Sequence, residues 1–139
     1  MTDLGLVLAA VDVLASYGVR TWVFGGWGEE LRGLCAPRAH GDVDLLYPAP
    51  RFDRLDALEL AWVEERRLPH KRAFVLDETM VELFLVQRDA DGWFSEFGGV
   101  RHDWPPNVFA AAGRLPVASA AALTGFRAAY GTFGIRRAA

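Results

Sequence analysis

The sequence has a single cysteine, Cys35, among its 139 residues. One cysteine excludes an intrachain disulfide, and without a C-x-x-C pair nothing indicates a zinc site. Basic residues are also in the minority, since 15 Lys and Arg stand against 18 Asp and Glu, for a formal net charge of −3. Nucleic acid and anionic membranes both require a basic face, so this balance argues against either as a partner.

Long apolar runs are missing as well. The longest early stretch begins at Leu4, is broken by Asp12 and has no basic residue before it. It is too short for a membrane span and lacks the charged start of a signal sequence. We therefore expect a cytoplasmic protein.

What is present is an ordinary globular composition, with 52% hydrophobic and 24% charged residues. This length and balance predict one domain over residues 1–139 with a real core. We expect its C-terminal helix over about residues 119–130 and a frayed tail over 131–139.

The spacing of apolar residues predicts alternating helices and strands. The first helix is expected over roughly Leu4 to Tyr17, capped by Thr2 or Asp3 and ended by Gly18. Further helices are predicted over about 26–36, 51–66 and 119–130, and strands over 20–25, 42–47, 71–76 and 79–86. This order indicates an α/β (α+β) fold, a small mixed sheet with helices on one side.

Two connections near the middle of the chain are informative. The acidic pair Asp77 and Glu78 separates two strand-like runs and predicts a tight turn. The stretch from Asp89 to Pro106 is rich in glycine, proline and aromatic residues and has no period. It predicts a long loop, and long loops in small domains are often functional.

Asp42 and Asp44 are the first candidates for chemistry. Residues two apart in a strand point to the same face, so the run "DVDLLY" places both carboxylates on one side. Two like charges this close repel unless they are protonated or neutralised by a cation, and all-oxygen sites suit Mg²⁺. The alternative is that one acid caps the turn and the other faces solvent.

Glu82 is a third acid, in the otherwise apolar run "MVELFLV". Such a residue either points to solvent or is buried, and a buried acid must be paired or bound to a metal. If its strand lies beside "DVDLLY", Glu82 can reach the same face as Asp42 and Asp44. Three carboxylates from two neighbouring strands can hold two Mg²⁺ ions for phosphoryl transfer.

A glycine pair precedes these acids. Gly25 and Gly26 end a strand and begin a helix, an arrangement in which backbone N–H groups can approach a phosphate. A glycine pair alone is more often a simple turn.

Taken together, these residues resemble the nucleotidyltransferases of the DNA polymerase β superfamily. The signature of that superfamily is a Gly-Gly or Gly-Ser turn, a helix, an alternating pair of aspartates and a later acidic strand. The resemblance is strongest to the small antibiotic-modifying branch, the lincosamide and aminoglycoside 2''-nucleotidyltransferases. Here the chain reads G-G-W, fourteen intervening residues, then D-x-D, with "RAHGDVD" at the end.

The resemblance implies a Mg²⁺-dependent transfer of a nucleoside monophosphate, usually from ATP, to a hydroxyl of a small molecule. Asp42 and Asp44 would be metal ligands. Glu82 would be the third carboxylate, either a ligand or the general base that removes the hydroxyl proton. The expected partners are therefore a nucleoside triphosphate and a small hydroxylated acceptor.

The same resemblance assigns a nucleotide-binding group. Gly25 and Gly26 would hold the triphosphate through backbone amides, and Arg38 could contact phosphates. His40 also falls on the pattern, and for it a phosphate contact and a turn histidine hydrogen-bonded to the backbone are equal alternatives. Trp27 either packs at the start of its helix or flanks the nucleotide.

The chain departs from that pattern in two ways. Glu30 stands where an aspartate is common, and the C-terminal part is short, with one helix to shape an acceptor site. The acceptor walls would then come from residues 89–106, come from a second subunit or be lost, so a homodimer is one hypothesis. Two other functions stay open: a nucleotide-binding or antitoxin-like module without transfer, and an enzyme that nucleotidylates a protein.

Overall fold

The computed structural model describes residues 3–110 and 115–133. Within these residues the chain forms four α-helices, six strands and two short 3₁₀ turns, η1 and η2. In chain order they are α1 (Leu4–Ser16), β1 (Trp22–Phe24), α2 (Gly25–Leu31), β2 (Val43–Pro48), α3 (Asp53–Asp56), η1 (Glu64–Arg66), β3 (Lys71–Leu76), β4 (Thr79–Asp89), β5 (Gly92–Phe97), β6 (Val100–Asp103), α4 (Ala120–Ala129) and η2 (Tyr130–Thr132).

The strands form one mixed sheet in the order β1-β2-β4-β5-β6, with β3 also paired to β4. The β2–β4 pair is parallel and the other pairs are antiparallel. β4 is the longest strand, at 11 residues. It pairs with β2 and β3 through its first part and with β5 through its end, so it connects both halves of the sheet.

The sheet is covered on both faces, and each face has its own core. Because side chains alternate along a strand, Leu45 and Leu83 pack under α1, whereas Leu46 and Phe84 pack on the opposite side, under α4. We call these the α1 face and the α4 face. The expectation that the helices lie on one side of the sheet was wrong.

Helices α1 and α4 follow their predicted bounds. The Asp3 carboxylate accepts a hydrogen bond from the backbone N–H of Leu6 at 2.9 Å and so caps α1, while Thr2 lies outside the described residues. Ser119 caps α4 in the same way, through the N–H of Ala122 at 3.1 Å. The segment just before α4 hydrogen-bonds to β1, through the N–H of Ala118 and the carbonyl of Val23 at 2.9 Å. These bonds place α4 over the end of β1.

The helix predicted over 51–66 does not form as such. Only α3 and η1 are helical there, because residues 61–63 lie extended along β3 instead. The N–H of Val63 donates to the carbonyl of Ala73 at 2.8 Å, and the N–H of Val75 donates to that of Ala61 at 3.0 Å. Pairing with the sheet overrides the helical spacing. Helix α2 is also shorter than predicted and ends at Leu31.

The predicted loop over 89–106 was wrong for its central part, which is the β5–β6 hairpin. Gly98 and Gly99 both have positive φ, at 58° and 81°, and turn the chain between the two strands. The predicted tight turn at Asp77 and Glu78 is confirmed, with φ of 47° and 63°. Of the predicted frayed tail, residues 131–133 belong to η2 and its end, and 134–139 lie outside the described residues.

Candidate active site

The sequence-predicted acids meet where β1, β2 and β4 run side by side. Asp44 on β2 is the register partner of Glu82 on β4 and also of Phe24, the last residue of β1. Register partners point to the same face of a sheet, so both carboxylates lie on the α4 face. The expected adjacency of Asp44 and Glu82 is confirmed.

Gly25 makes the closest approach to these acids. It begins α2 with φ +63°, and a Cβ added there would overlap the carboxylate of Asp44. Both its backbone conformation and its neighbour therefore require glycine. Glycine at this position therefore allows β1 to turn into α2 directly above Asp44.

Asp42 is exposed, just before β2, and together with Asp44 and Glu82 it lines one cavity of about 480 Å³. Gly25, Gly26, Arg38 and His40 line the same cavity. Trp27 does not line it, because its side chain is buried in the core under the α1 face. The packing predicted for Trp27 is observed, and its role beside the nucleotide stays a prediction.

Glu82 is held by two basic side chains that the sequence did not reveal. Its Oε1 lies 3.4 Å from Nζ of Lys71 on β3 and 3.5 Å from Nη1 of Arg66 in η1. The glutamate is 7% exposed, and a charge that is so buried needs partners of opposite sign. Both basic side chains line the cavity beside it, so Glu82 is one anion held between two cations.

A second such group surrounds Glu29 on α2. Its carboxylate accepts bidentate hydrogen bonds from the guanidinium group of Arg127 on α4. Nη2 of Arg38 lies 3.7 Å from Oε1 of the same carboxylate. These contacts join α2, α4 and the loop before β2 at the rim of the cavity. Arg38 keeps 46% of its side chain exposed, as a residue that meets a soluble ligand would.

Glu30 fixes the loop that carries Arg38 and His40. Its Oε1 accepts a hydrogen bond from the backbone N–H of Arg38 at 2.9 Å and lies 3.0 Å from Nε2 of His40. These hydrogen bonds, from Arg38 first and from His40 second, lower the pKa of Glu30 below its usual value. The sequence did not indicate what a glutamate at position 30 does. In the structure its carboxylate contacts both the backbone N–H of Arg38 and the ring of His40.

His40 itself is buried, at 6% exposed. Its ring packs against Trp27, with centroids 4.6 Å apart, and a Cβ on Gly26 would come within 2.6 Å of its Nδ1. The glycine at position 26 therefore lets the histidine ring sit against α2. One side-chain partner of His40 in the structure is Glu30, which the sequence did not predict.

The far wall of the cavity is aromatic. Phe84 follows Glu82 by two residues on β4, Phe97 ends β5, and Phe126 and Tyr130 come from α4 and η2. Phe126 contacts Phe97 edge to face at a centroid distance of 5.4 Å, and it stacks on Trp104 at 5.8 Å and 10°. Residues 89–106, which the sequence predicted as one source of an acceptor wall, thus contribute Phe97 to the lining of this cavity, and α4 contributes Phe126.

The donor set fits Mg²⁺ at Asp42 and Asp44. Both offer carboxylate oxygens to the cavity, and Mg²⁺ usually completes its shell with waters and substrate phosphates. In the part of the chain that the structure describes, no three Asp, Glu, His or Cys side chains form a group that could hold a metal ion. Glu82 as a third ligand therefore stays a prediction.

Comparison with solved structures identifies the fold. The lincosamide antibiotic adenylyltransferase LnuA, bound to lincomycin, is 16% identical over 93% of this chain and 88% of that chain, with a TM-score of 0.69. ANT(2'')-Ia in complex with adenylyl-2''-tobramycin is 20% identical over 90% of this chain and 73% of that chain, with a TM-score of 0.56. A solution structure of the antibiotic-resistance factor ANT(2'')-Ia is 19% identical, at a TM-score of 0.52.

These likenesses show that the chain has the nucleotidyltransferase fold, as its sequence predicted. At the level of sequence, neither a protein-family model nor a curated protein matches it. Among the described residues, none of the helices has the length and apolar character needed to cross a bilayer.

Proposed function

We propose that the protein is a Mg²⁺-dependent nucleotidyltransferase that transfers a nucleoside monophosphate, AMP from ATP, to a hydroxyl of a small molecule. An antibiotic of the lincosamide or aminoglycoside type is the proposed kind of acceptor. The observation that carries the proposal is the register of Asp44 with Glu82 beneath Gly25. The antibiotic adenylyltransferases that share the fold support it.

Asp42 and Asp44 would hold Mg²⁺ against the triphosphate. When bound, the metal neutralises phosphate charge and polarises the phosphorus that is attacked. Arg38, at the exposed rim, would contact phosphate oxygens with its guanidinium group. The backbone N–H groups of Gly25 and Gly26 would orient the triphosphate from the other side.

Glu82 would accept the proton of the acceptor hydroxyl. The acceptor oxygen then forms a bond to the α-phosphorus, the bond from that phosphorus to the bridging oxygen breaks, and pyrophosphate leaves. Lys71 and Arg66 both contact Oε1 of Glu82, so the proton would go to Oε2. The two cationic side chains fix the orientation of the Glu82 carboxylate. Such orientation is a large part of the efficiency of a general base.

The test replaces the carboxylate of Asp44 with an amide group of nearly the same shape. Asp44→Asn should lower Mg²⁺-dependent transfer of labelled AMP from ATP by about a hundredfold or more, since metal stabilisation contributes several kcal/mol and each 1.36 kcal/mol is tenfold. Asp91→Asn is the matched control, because Asp91 is an exposed acid in the β4–β5 turn. It should transfer at the wild-type rate.

Two results would contradict the proposal. One is an Asp44→Asn variant that transfers as fast as the control. The other is ATP binding by calorimetry without transfer to any member of a broad hydroxyl panel, which would favour a nucleotide-binding module. A mass increase on a partner protein in place of a small molecule would identify a protein-modifying enzyme.

A further inference from the structure

The walls of the active-site cavity differ in chemistry. Beyond Glu82 and its two cations, on the same face of the sheet, one wall is apolar and built from side chains of β4, β5 and α4. Phe84 is the next residue after Glu82 that points to this face. If Glu82 takes the proton of the acceptor, the acceptor must lie against this wall and not against the Gly25 side, where the triphosphate is proposed to bind.

The wall is stiff as well as apolar. Phe126 makes edge-to-face contacts with Phe24 and Phe97 at centroid distances of 4.8 and 5.4 Å. Tyr130 adds to the wall, with its ring 5.6 Å from that of Phe126. Interlocked aromatic rings lose little freedom when a ligand arrives, so they favour a ligand with a flat or alkyl face.

The charges of the cavity cancel. Among the described residues four acids and four Lys or Arg side chains line it, so with neutral histidines their formal charges sum to zero. Glu82 is paired with Lys71 and Arg66, and Glu29 with Arg127. The two other acids are those that the proposed function gives to the metal, so the cavity has no surplus of acids for a cationic acceptor.

We propose that the acceptor is a hydroxylated molecule with an apolar face and at most one positive charge. This inference rests on the proposed function and narrows it. A molecule with several ammonium groups needs a surplus of carboxylates to replace its hydration. The described residues of this cavity offer none, and Lys71, Arg66 and Arg127 would repel it.

The test is a panel of hydroxylated compounds in matched pairs, with pyrophosphate release from Mg²⁺·ATP as the readout. Hexyl glucoside represents the neutral apolar class, methyl glucoside lacks the apolar face, and a glucosamine trimer carries several ammonium groups. We expect kcat/KM to be highest for compounds of the first class, by about tenfold over both others.

Two variants examine the wall and the charges separately. Tyr130→Ser should raise the acceptor KM about fivefold to tenfold and leave the KM for ATP unchanged. Tyr17→Ser, at a 45% exposed tyrosine that does not line the cavity, should change neither. Arg127→Gln should raise kcat/KM for the glucosamine trimer at least threefold, because it removes a cationic partner of Glu29.

The outcomes separate this inference from the proposed function. Asp44-dependent transfer that is fastest to the glucosamine trimer would overturn the inference and leave the function standing. A Tyr130→Ser variant with a raised KM for ATP would overturn it too, since the wall would then bind the base. Absence of transfer to every compound, with ATP still bound, would overturn both.

Discussion

Gly25→Ala tests the contact that joins the glycine turn to the acids. The left-handed conformation at φ +63° costs an L-residue about 1–2 kcal/mol. The new methyl group would also overlap the Asp44 carboxylate, so either Asp44 or the start of α2 must move. Both effects lower the free energy of unfolding, but only the second displaces a proposed metal ligand.

Gly33→Ala is the matched control. Gly33 has φ +71°, and a Cβ there would meet nothing within 4 Å, so this variant has the backbone strain without the overlap. We expect it to lose about 1–2 kcal/mol and to keep wild-type transfer. In a protein of this size that loss lowers Tm by about 3–8 °C.

The assays are urea unfolding and AMP transfer on both variants. Gly25→Ala should be less stable than Gly33→Ala by about 1 kcal/mol or more, since overlap in a packed site costs about 1–3 kcal/mol. Its transfer should fall at least about tenfold, because small displacements of a reacting geometry are expensive. Equal stability of the two variants, together with wild-type transfer by Gly25→Ala, would refute the close approach of Gly25 to Asp44.

Two further predictions concern the charged groups around the site. Glu30→Ala removes the acceptor shared by Arg38 and His40, so the KM for ATP should rise about tenfold, as for other supporting residues, and Glu30→Gln, which can still accept a hydrogen bond, should recover part of it. Asp56→Asn should lower stability at pH 7 by roughly 0.5–1 kcal/mol. Hydrogen bonds from Arg72 hold the pKa of Asp56 below its usual 3.8, so this stabilisation is present above pH 3.8 and is lost as the pH falls through the lower folded value. The difference from wild type in urea unfolding should therefore shrink toward pH 3, and a constant difference would count against the ion pair.

The sequence predicts the parts of this site that depend on local rules. Alternation along a strand places Asp44 on the same face as Leu46, and β4 shows the same alternation around Glu82. The adjacency of those two strands is a tertiary fact, but two buried runs in a small domain have few other arrangements. Local patterning is therefore enough to select both Asp44 and Glu82 as candidates.

Elements set by distant pairing were harder to predict. Residues 61–63 have helical spacing, yet their backbone groups bond to β3, and no local signal reveals that partner. The β5–β6 hairpin was hidden differently. Its turn signal, Gly98 and Gly99, was present, but the surrounding glycines, prolines and aromatic residues made the whole segment read as a loop.

The basic partners of Glu82 change the expected way in which the three acids are neutralised. From sequence, three acids on adjacent strands require cations to coexist. In the structure Lys71 and Arg66 already neutralise Glu82, so the most buried of the three acids needs no metal. Because Asp42 and Asp44 are at least partly exposed to water, which screens their repulsion, the fold should not require Mg²⁺.

That inference separates a catalytic metal from a structural one. A site with a Kd of about 1 mM adds about 1 kcal/mol of stability at 5 mM Mg²⁺, which corresponds to about 3–5 °C in Tm. EDTA should therefore abolish transfer while the protein keeps a cooperative thermal transition within about 5 °C of its value in Mg²⁺. A structural metal would behave differently, because its removal would unfold the chain. If EDTA abolishes the cooperative transition, Asp42, Asp44 and Glu82 share an ion that the fold itself needs. Glu82 would then bind that ion in the folded protein instead of pairing with Lys71 and Arg66.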